Sequence, residues 1–245
     1  MTTFFERGSM RLRSCASLVL ALAAVPAALR AQEISAGNYV RASAGITTPV
    51  NPTGTLRDWK RGTGFALSWE NWESMGGGAP RAGFGIAFDY AQLPLDEQQF
   101  VATFKTGQGL HATSASANKT SVWTIATDFR LRIPTPLVMP TINFGFGIID
   151  FHPSTVQYVA TDGTQGSAEQ KGRTGAELSI GGGIDRQIAG RVAVYAEALY
   201  RYGFTSVGEG IAAPGSACLN SGGCDALKNT SFGTIRGGLR IKVDR

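Results

Sequence analysis

The sequence predicts an all-β chain that closes as an eight-stranded antiparallel up-and-down transmembrane β-barrel. Three observations carry the prediction. Eight stretches, roughly 38–47, 62–72, 82–91, 120–133, 139–151, 173–185, 191–204 and 231–243, alternate in hydrophobicity with a period of two. The gaps between them read long, short, long, short, long, short, long. In these stretches one face is bulky and apolar and the other is small, polar or charged. Strands whose two ends face different compartments produce this rhythm. Barrels of the bacterial outer membrane have an even strand count, short periplasmic turns, long external loops and about ten residues per crossing.

The first element is a secretory signal over residues 1–31. Arg11 and Arg13 make a positive n-region, Leu18 to Val25 a short apolar core, and Ala27, Ala28 and Ala31 supply small residues for cleavage. A cut after Ala31 leaves Gln32 first and residues 32–245 as the barrel domain; Met10 is an alternative start. The apolar run is too short for a membrane helix, which needs about 18 residues, and no later stretch approaches that length. A membrane-embedded mature chain must therefore cross as strands. The formal charge of +5 is partly signal: removing Arg7, Arg11, Arg13, Arg30 and Glu6 takes 23 basic and 18 acidic residues to 19 and 17. With no dense basic patch, the basic pI of 9.3 is no sign of a nucleic-acid partner.

The strands follow in order. The first two carry Arg41 and Glu70 among small and apolar neighbours, with Trp69 and Trp72 near the end of the second. The third sets Phe84, Ile86, Phe88 and Tyr90 against Gly83, Gly85, Ala87 and Asp89. The fourth sets Trp123, Ile125, Phe129, Leu131 and Ile133 against Asp128, Arg130 and Arg132. The fifth alternates Ile142, Phe144, Phe146 and Ile148 with Asn143, Gly145 and Gly147. The sixth alternates Leu178, Ile180 and Ile184 with Glu177, Ser179, Gly181, Gly183 and Asp185. In the seventh, Val194, Ala196, Ala198, Tyr200 and Tyr202 oppose Tyr195, Glu197, Leu199 and Arg201. The eighth sets Ile235, Leu239, Ile241 and Val243 against Arg236, Gly238, Arg240 and Lys242.

Alternation alone does not choose the outward face, and a soluble lipocalin-type barrel would bury the apolar one. Two features of the faces predict the inverse. The polar face mixes charges with glycine, alanine and serine, which suits a crowded, narrow lumen. The apolar face carries Trp69, Trp72, Tyr90, Tyr200 and Tyr202 near strand ends, as interface girdles do.

On these residues the chain resembles the OmpA/OmpX-like eight-stranded outer-membrane barrels. The resemblance covers about residues 34–245, and its most recognisable part is the penultimate strand Val192-Ala-Val-Tyr-Ala-Glu-Ala-Leu-Tyr-Arg-Tyr202. It is a resemblance to the barrel only, without a peptidoglycan-binding domain. It departs at its C-terminus, reading Val243-Asp244-Arg245 where such barrels often carry an aromatic residue. The resemblance implies a bacterial outer-membrane location and a bilayer-embedded monomer.

Met75 to Pro80, Pro134 to Pro136 and Ala189-Gly190 are the turn breakers on the short side. The long connections near 48–61, 92–119, 152–172 and 205–230 are rich in Gly, Ser, Thr, Asn and Asp, and read as external loops. Cys218 and Cys224 are the only cysteines beyond the signal. In an oxidising envelope their spacing predicts a disulfide at a loop tip rather than a metal site, since no histidine lies near them in sequence. His111 reads as a solvated loop residue. His152-Pro-Ser154 follows the fifth strand, and a lipid A deacylase family also places a His-x-Ser pair on an eight-stranded barrel. A serine nucleophile needs a base within reach and a third group orienting that base. Glu169 is the nearest downstream acid, and the intervening proline argues against the pairing.

The inward charges form the remaining constellation. Arg41, Asp128, Glu177, Glu197, Arg201, Arg236 and Arg240 are expected to join one ion network across the lumen, because an unpaired buried charge is costly. At eight strands side chains just fill the interior. The expected function is therefore an integral outer-membrane protein, not an enzyme. Its lumen is plugged and its long loops serve a structural or surface-interaction role. A small pore and a lipid A-modifying enzyme using His152 and Ser154 are the alternatives. No cofactor is expected. The expected partners are outer-membrane lipid and an extracellular or envelope ligand, with no nucleic acid.

Overall fold

Local alternation becomes a closed sheet. The computed structural model describes residues 36–50, 58–74, 81–133, 135, 138–168, 172–205 and 230–243. In chain order its strands are β1 (Gly37–Pro49), β2 (Gly62–Ser74), β3 (Arg81–Leu93), β4 (Ala112–Ala117), β5 (Thr120–Arg132), β6 (Met139–His152), β7 (Val156–Ala160), β8 (Gln165–Ala168), β9 (Arg173–Ala189), β10 (Val192–Thr205) and β11 (Thr230–Lys242). One helix, α1 (Glu97–Thr103), lies between β3 and β4. The closed barrel has the order β1-β11-β10-β9-β6-β5-β3-β2, with every neighbouring pair antiparallel. Its eight strands match the eight predicted stretches to within a few residues. This is the strand number, direction and closure that the resemblance implies. The signal segment lies outside the described residues.

The barrel is inside-out relative to a soluble one. Phe84, Ile86, Phe88, Phe144, Phe146 and Ile180 stand exposed on its outer surface, whereas Arg41, Glu70, Arg130, Glu177, Glu197 and Arg240 are buried. The sign of this arrangement follows from the solvent: hydrocarbon accepts the apolar face, and a closed barrel leaves no unpaired backbone edge in it. Phe144 lies near the middle of β6, so Phe144→Arg is expected to destabilise the inserted barrel by about 2–4 kcal/mol. Reversible unfolding from lipid vesicles measures this, and an unchanged stability would contradict the outward assignment. One aromatic departs from the predicted girdle. Trp69 faces out, but Trp72 is an odd number of residues away on β2 and therefore points inward, where only 1% of it is exposed.

Two of the predicted external loops carry structure that their composition hid. Strands β4, β7 and β8 form a separate three-stranded sheet within segments 92–119 and 152–172. Helix α1 begins at Asp96, whose side chain accepts the Gln99 N–H at 3.2 Å. The β7–β8 hairpin turns at Asp162-Gly163. Gly163 takes a left-handed φ of 84°, and Asp162 accepts both the backbone N–H and the hydroxyl of Thr164 at 2.9 and 2.8 Å. Those two bonds hold the Asp162 carboxyl below its ordinary range.

Candidate functional site

The barrel interior is layered along its axis. At the loop end lies an apolar layer. Leu93, Val122, Ile149, Phe151 and Phe232 project inward from barrel strands and meet Trp59, Leu95, Phe100, Phe104, Val156 and Ala168 from the external segments. Phe100 of α1 and Phe104, the residue that caps the helix C-terminus, stack at 4.6 Å, and Tyr158 of β7 closes on Phe104 at 4.7 Å. Asp58 ties the segment before β2 to this cap: its carbonyl accepts the Asp96 N–H at 2.7 Å and its carboxylate the Thr103 hydroxyl at 3.3 Å. The cap residues escape a reading of the sequence because they lie among polar loop residues. Asp96 followed by Phe100, Val101 and Phe104 is the signal that marks α1.

Below the cap, nine charged side chains form one continuous chain of ion pairs. Arg41 pairs with Glu70 at 2.7 Å and Glu197 at 3.1 Å. Arg130 reaches Glu70 at 3.2 Å, Asp128 at 2.8 Å and Glu197 at 2.8 Å. Arg236 bridges Glu197 to Asp89. Arg201 pairs with Asp89 at 2.7 Å, lies 3.4 Å from Glu177, and donates to Thr124 at 2.8 Å. Glu197 is the hub: Asn143 also donates to it, at 3.0 Å. Small residues make room for these groups. A Cβ on Gly183 would stand 2.9 Å from that of Glu197, and one on Gly145 would stand 2.6 Å from Asp128 Oδ1.

Of the seven residues predicted to share a network, the structure joins Arg41, Asp128, Glu177, Glu197, Arg201 and Arg236. Glu70, Asp89 and Arg130 are the links among them. Arg240 sits apart. With Arg132 it pairs with Asp185 near the short-turn end, each at 3.0 Å. The separation is geometric, because Arg240 lies opposite Arg41 across β1–β11 whereas Arg236 lies opposite Glu197 across β10–β11. Lys242, on the same inward register, donates to the Ala36 carbonyl at 2.8 Å.

Between the ion pairs and the apolar layer is a cavity of about 30 Å³ lined in part by Asp89, Arg201, Arg236, Thr124, Ile149 and Phe232. Such a volume holds a water or two and no larger solute. Among the described residues no group of three or more His, Cys, Asp or Glu side chains has the geometry to hold a metal.

The His152–Ser154 pair lies at the rim. His152 Nδ1 is 2.5 Å from Asp150 Oδ2, so Asp150 is an acid beside it, and Glu169 lies outside the described residues. Its imidazole is 63% exposed. The Ser154 hydroxyl donates to the Lys119 carbonyl at 2.9 Å, and the Ser154 N–H donates to Thr120 Oγ1 at 3.0 Å. These are the bonds of a serine that fastens a turn. His111 pairs in an isolated bridge with Lys105 and stays exposed. Cys218 and Cys224 lie outside the described residues.

A closed eight-stranded antiparallel sheet with an apolar outer belt and a charged, side-chain-filled interior defines an outer-membrane β-barrel protein. No family model matches the chain, and no curated protein matches its sequence. Among solved structures it is similar to a major outer membrane protein from Thermus thermophilus (15% identity, TM-score 0.46, covering 85% of this chain and 100% of that one). It is also similar to Neisserial surface protein A (16% identity, TM-score 0.44, 84% and 97% covered). A third likeness is to the outer membrane protein OprG from Pseudomonas aeruginosa (12% identity, TM-score 0.42, 87% and 99% covered).

Proposed function

We propose that this protein is a non-conducting outer-membrane barrel that works through its external cap, as a structural or surface-interaction element of the envelope. The observation that carries the reading is the layered interior. Four arginines and five carboxylates interlock across the lumen, and the space between them and the apolar layer is about 30 Å³. A hydrated ion crossing this path would have to displace paired charges and then enter an apolar layer, both of which are costly. The cap supplies what a surface role needs: a sheet and a helix packed on a common core, so that exposed side chains are held in fixed positions. Planar-bilayer recording of refolded protein tests the reading. Silent membranes are expected, and large, long-lived open states would replace the plug with a pore.

The Asp150–His152 contact is the one arrangement that favours a lipid-modifying reading, since it orients an imidazole at the bilayer rim. Lipid A incubated with wild-type protein and with His152→Ala is expected to give identical mass spectra. Loss of an acyl chain with the wild type alone would establish the enzyme.

A further inference from the structure

The lumen's charges are not evenly paired along its length. The upper chain holds four arginines and five carboxylates, whereas at the short-turn end Arg132 and Arg240 share Asp185. Arg132 Nη2 and Arg240 Nη1 donate to the same oxygen, Asp185 Oδ2, each at 3.0 Å. Both arginine side chains are almost fully buried, at 2% and 1% exposure. Among the described residues, two guanidiniums on one carboxylate leave a positive excess where burial makes it expensive.

We infer that Arg132 and Arg240 form a binding site for a small inorganic anion of the halide class. A guanidinium carries five N–H donors. Arg132 Nε and Nη1 and Arg240 Nε and Nη2 are buried and find no acceptor among the described residues. Their surroundings do not supply one. The Trp72 ring lies 3.8 Å from Arg132 Cζ and 5.7 Å from Arg240 Cζ, and the Tyr39 ring lies 5.3 Å from Arg240 Cζ. These aromatic faces attract the cations but accept no in-plane N–H bond. Trp72 Nε1 is a donor already used on Glu70, at 2.9 Å. Met139 and Ala193 complete an apolar wall with Tyr39 and Trp72.

A water would satisfy donors but leave the charge excess, whereas a halide does both. A compact, spherical anion also suits a place walled by packed aromatic rings better than a tetrahedral oxyanion. The inference is independent of whether the lumen conducts, since it concerns the end below the ion-pair chain.

Refolded protein crystallised in sodium bromide should show an anomalous bromine peak between the two guanidiniums. Its unfolding midpoint in detergent should rise with bromide concentration by more than it does in sodium gluconate of equal ionic strength. Arg240→Met is expected to lose both signals. Asp185→Asn removes the competing carboxylate and is expected to tighten bromide several-fold, so the site remains testable if Arg240→Met fails to fold. No bromine peak at saturating bromide overturns the inference. So does a midpoint that rises equally in gluconate, or a peak that persists in Arg240→Met and marks an adventitious ion only.

Discussion

Replacing Glu197 with alanine is expected to lower barrel stability by about 3–5 kcal/mol, the cost of removing one partner from a buried ion cluster. Glu197 Oε2 accepts from Arg41 at 3.1 Å, Arg130 at 2.8 Å and Asn143 at 3.0 Å, while Oε1 accepts from Arg236. Three arginines therefore lose their shared acceptor at once. Each retains another carboxylate: Glu70 for Arg41, Asp128 and Glu70 for Arg130, and Asp89 for Arg236. Retention places the effect within that range rather than at three times it. Glu197→Gln keeps an acceptor but brings an NH₂ group against guanidinium donors, so it should fall between wild type and alanine. Denaturant unfolding followed by circular dichroism measures the order, and bilayer recording of the same variants tests for a leak. Equal stability for all three proteins would show that the hub is solvated, and that the plugged lumen is wrong.

Phe100→Ala is expected to detach the external cap while leaving the barrel closed. Phe100 is fully buried at 0% exposure, stacked on Phe104. Truncating a core phenylalanine costs about 3–5 kcal/mol. The cap is small, and its three strands pair with one another rather than with the barrel ladder. A loss of that size exceeds what such a unit retains, whereas the barrel's continuous ladder is untouched, so the two parts should separate in stability. Hydrogen exchange should accelerate across α1, β4, β7 and β8 and remain slow in β5, β6 and β9. Protection that falls equally everywhere would mean that cap and barrel unfold as one unit.

Sequence and structure agree where the determinant is local. An alternation of two residues fixes the two faces of a strand, and Gly-Pro-rich breakers fix where it ends, so the eight membrane strands and their inward charges are legible residue by residue. Trp72 shows the same rule misapplied: grouping it with Trp69 as a girdle residue overlooks the odd spacing that puts the two on opposite faces. The cap is partly legible, through Asp96 and the apolar spacing of α1, but polar neighbours dilute the signal.

By itself the sequence determined that the chain forms a barrel, which face meets lipid, and which charges enter the lumen. Only the tertiary structure decided how those charges divide. Arg41 and Glu197 are 156 positions apart, and Arg132 and Asp185 are 53 apart. Which arginine reaches which carboxylate depends on the stagger between strands and on long side chains crossing a narrow interior, and neither quantity is written in the alternation of any one strand. Closure and register place Arg236 beside Glu197 and set Arg240 with Arg132 on Asp185, so a composition that reads as one balanced set of charges resolves into two clusters of unequal charge.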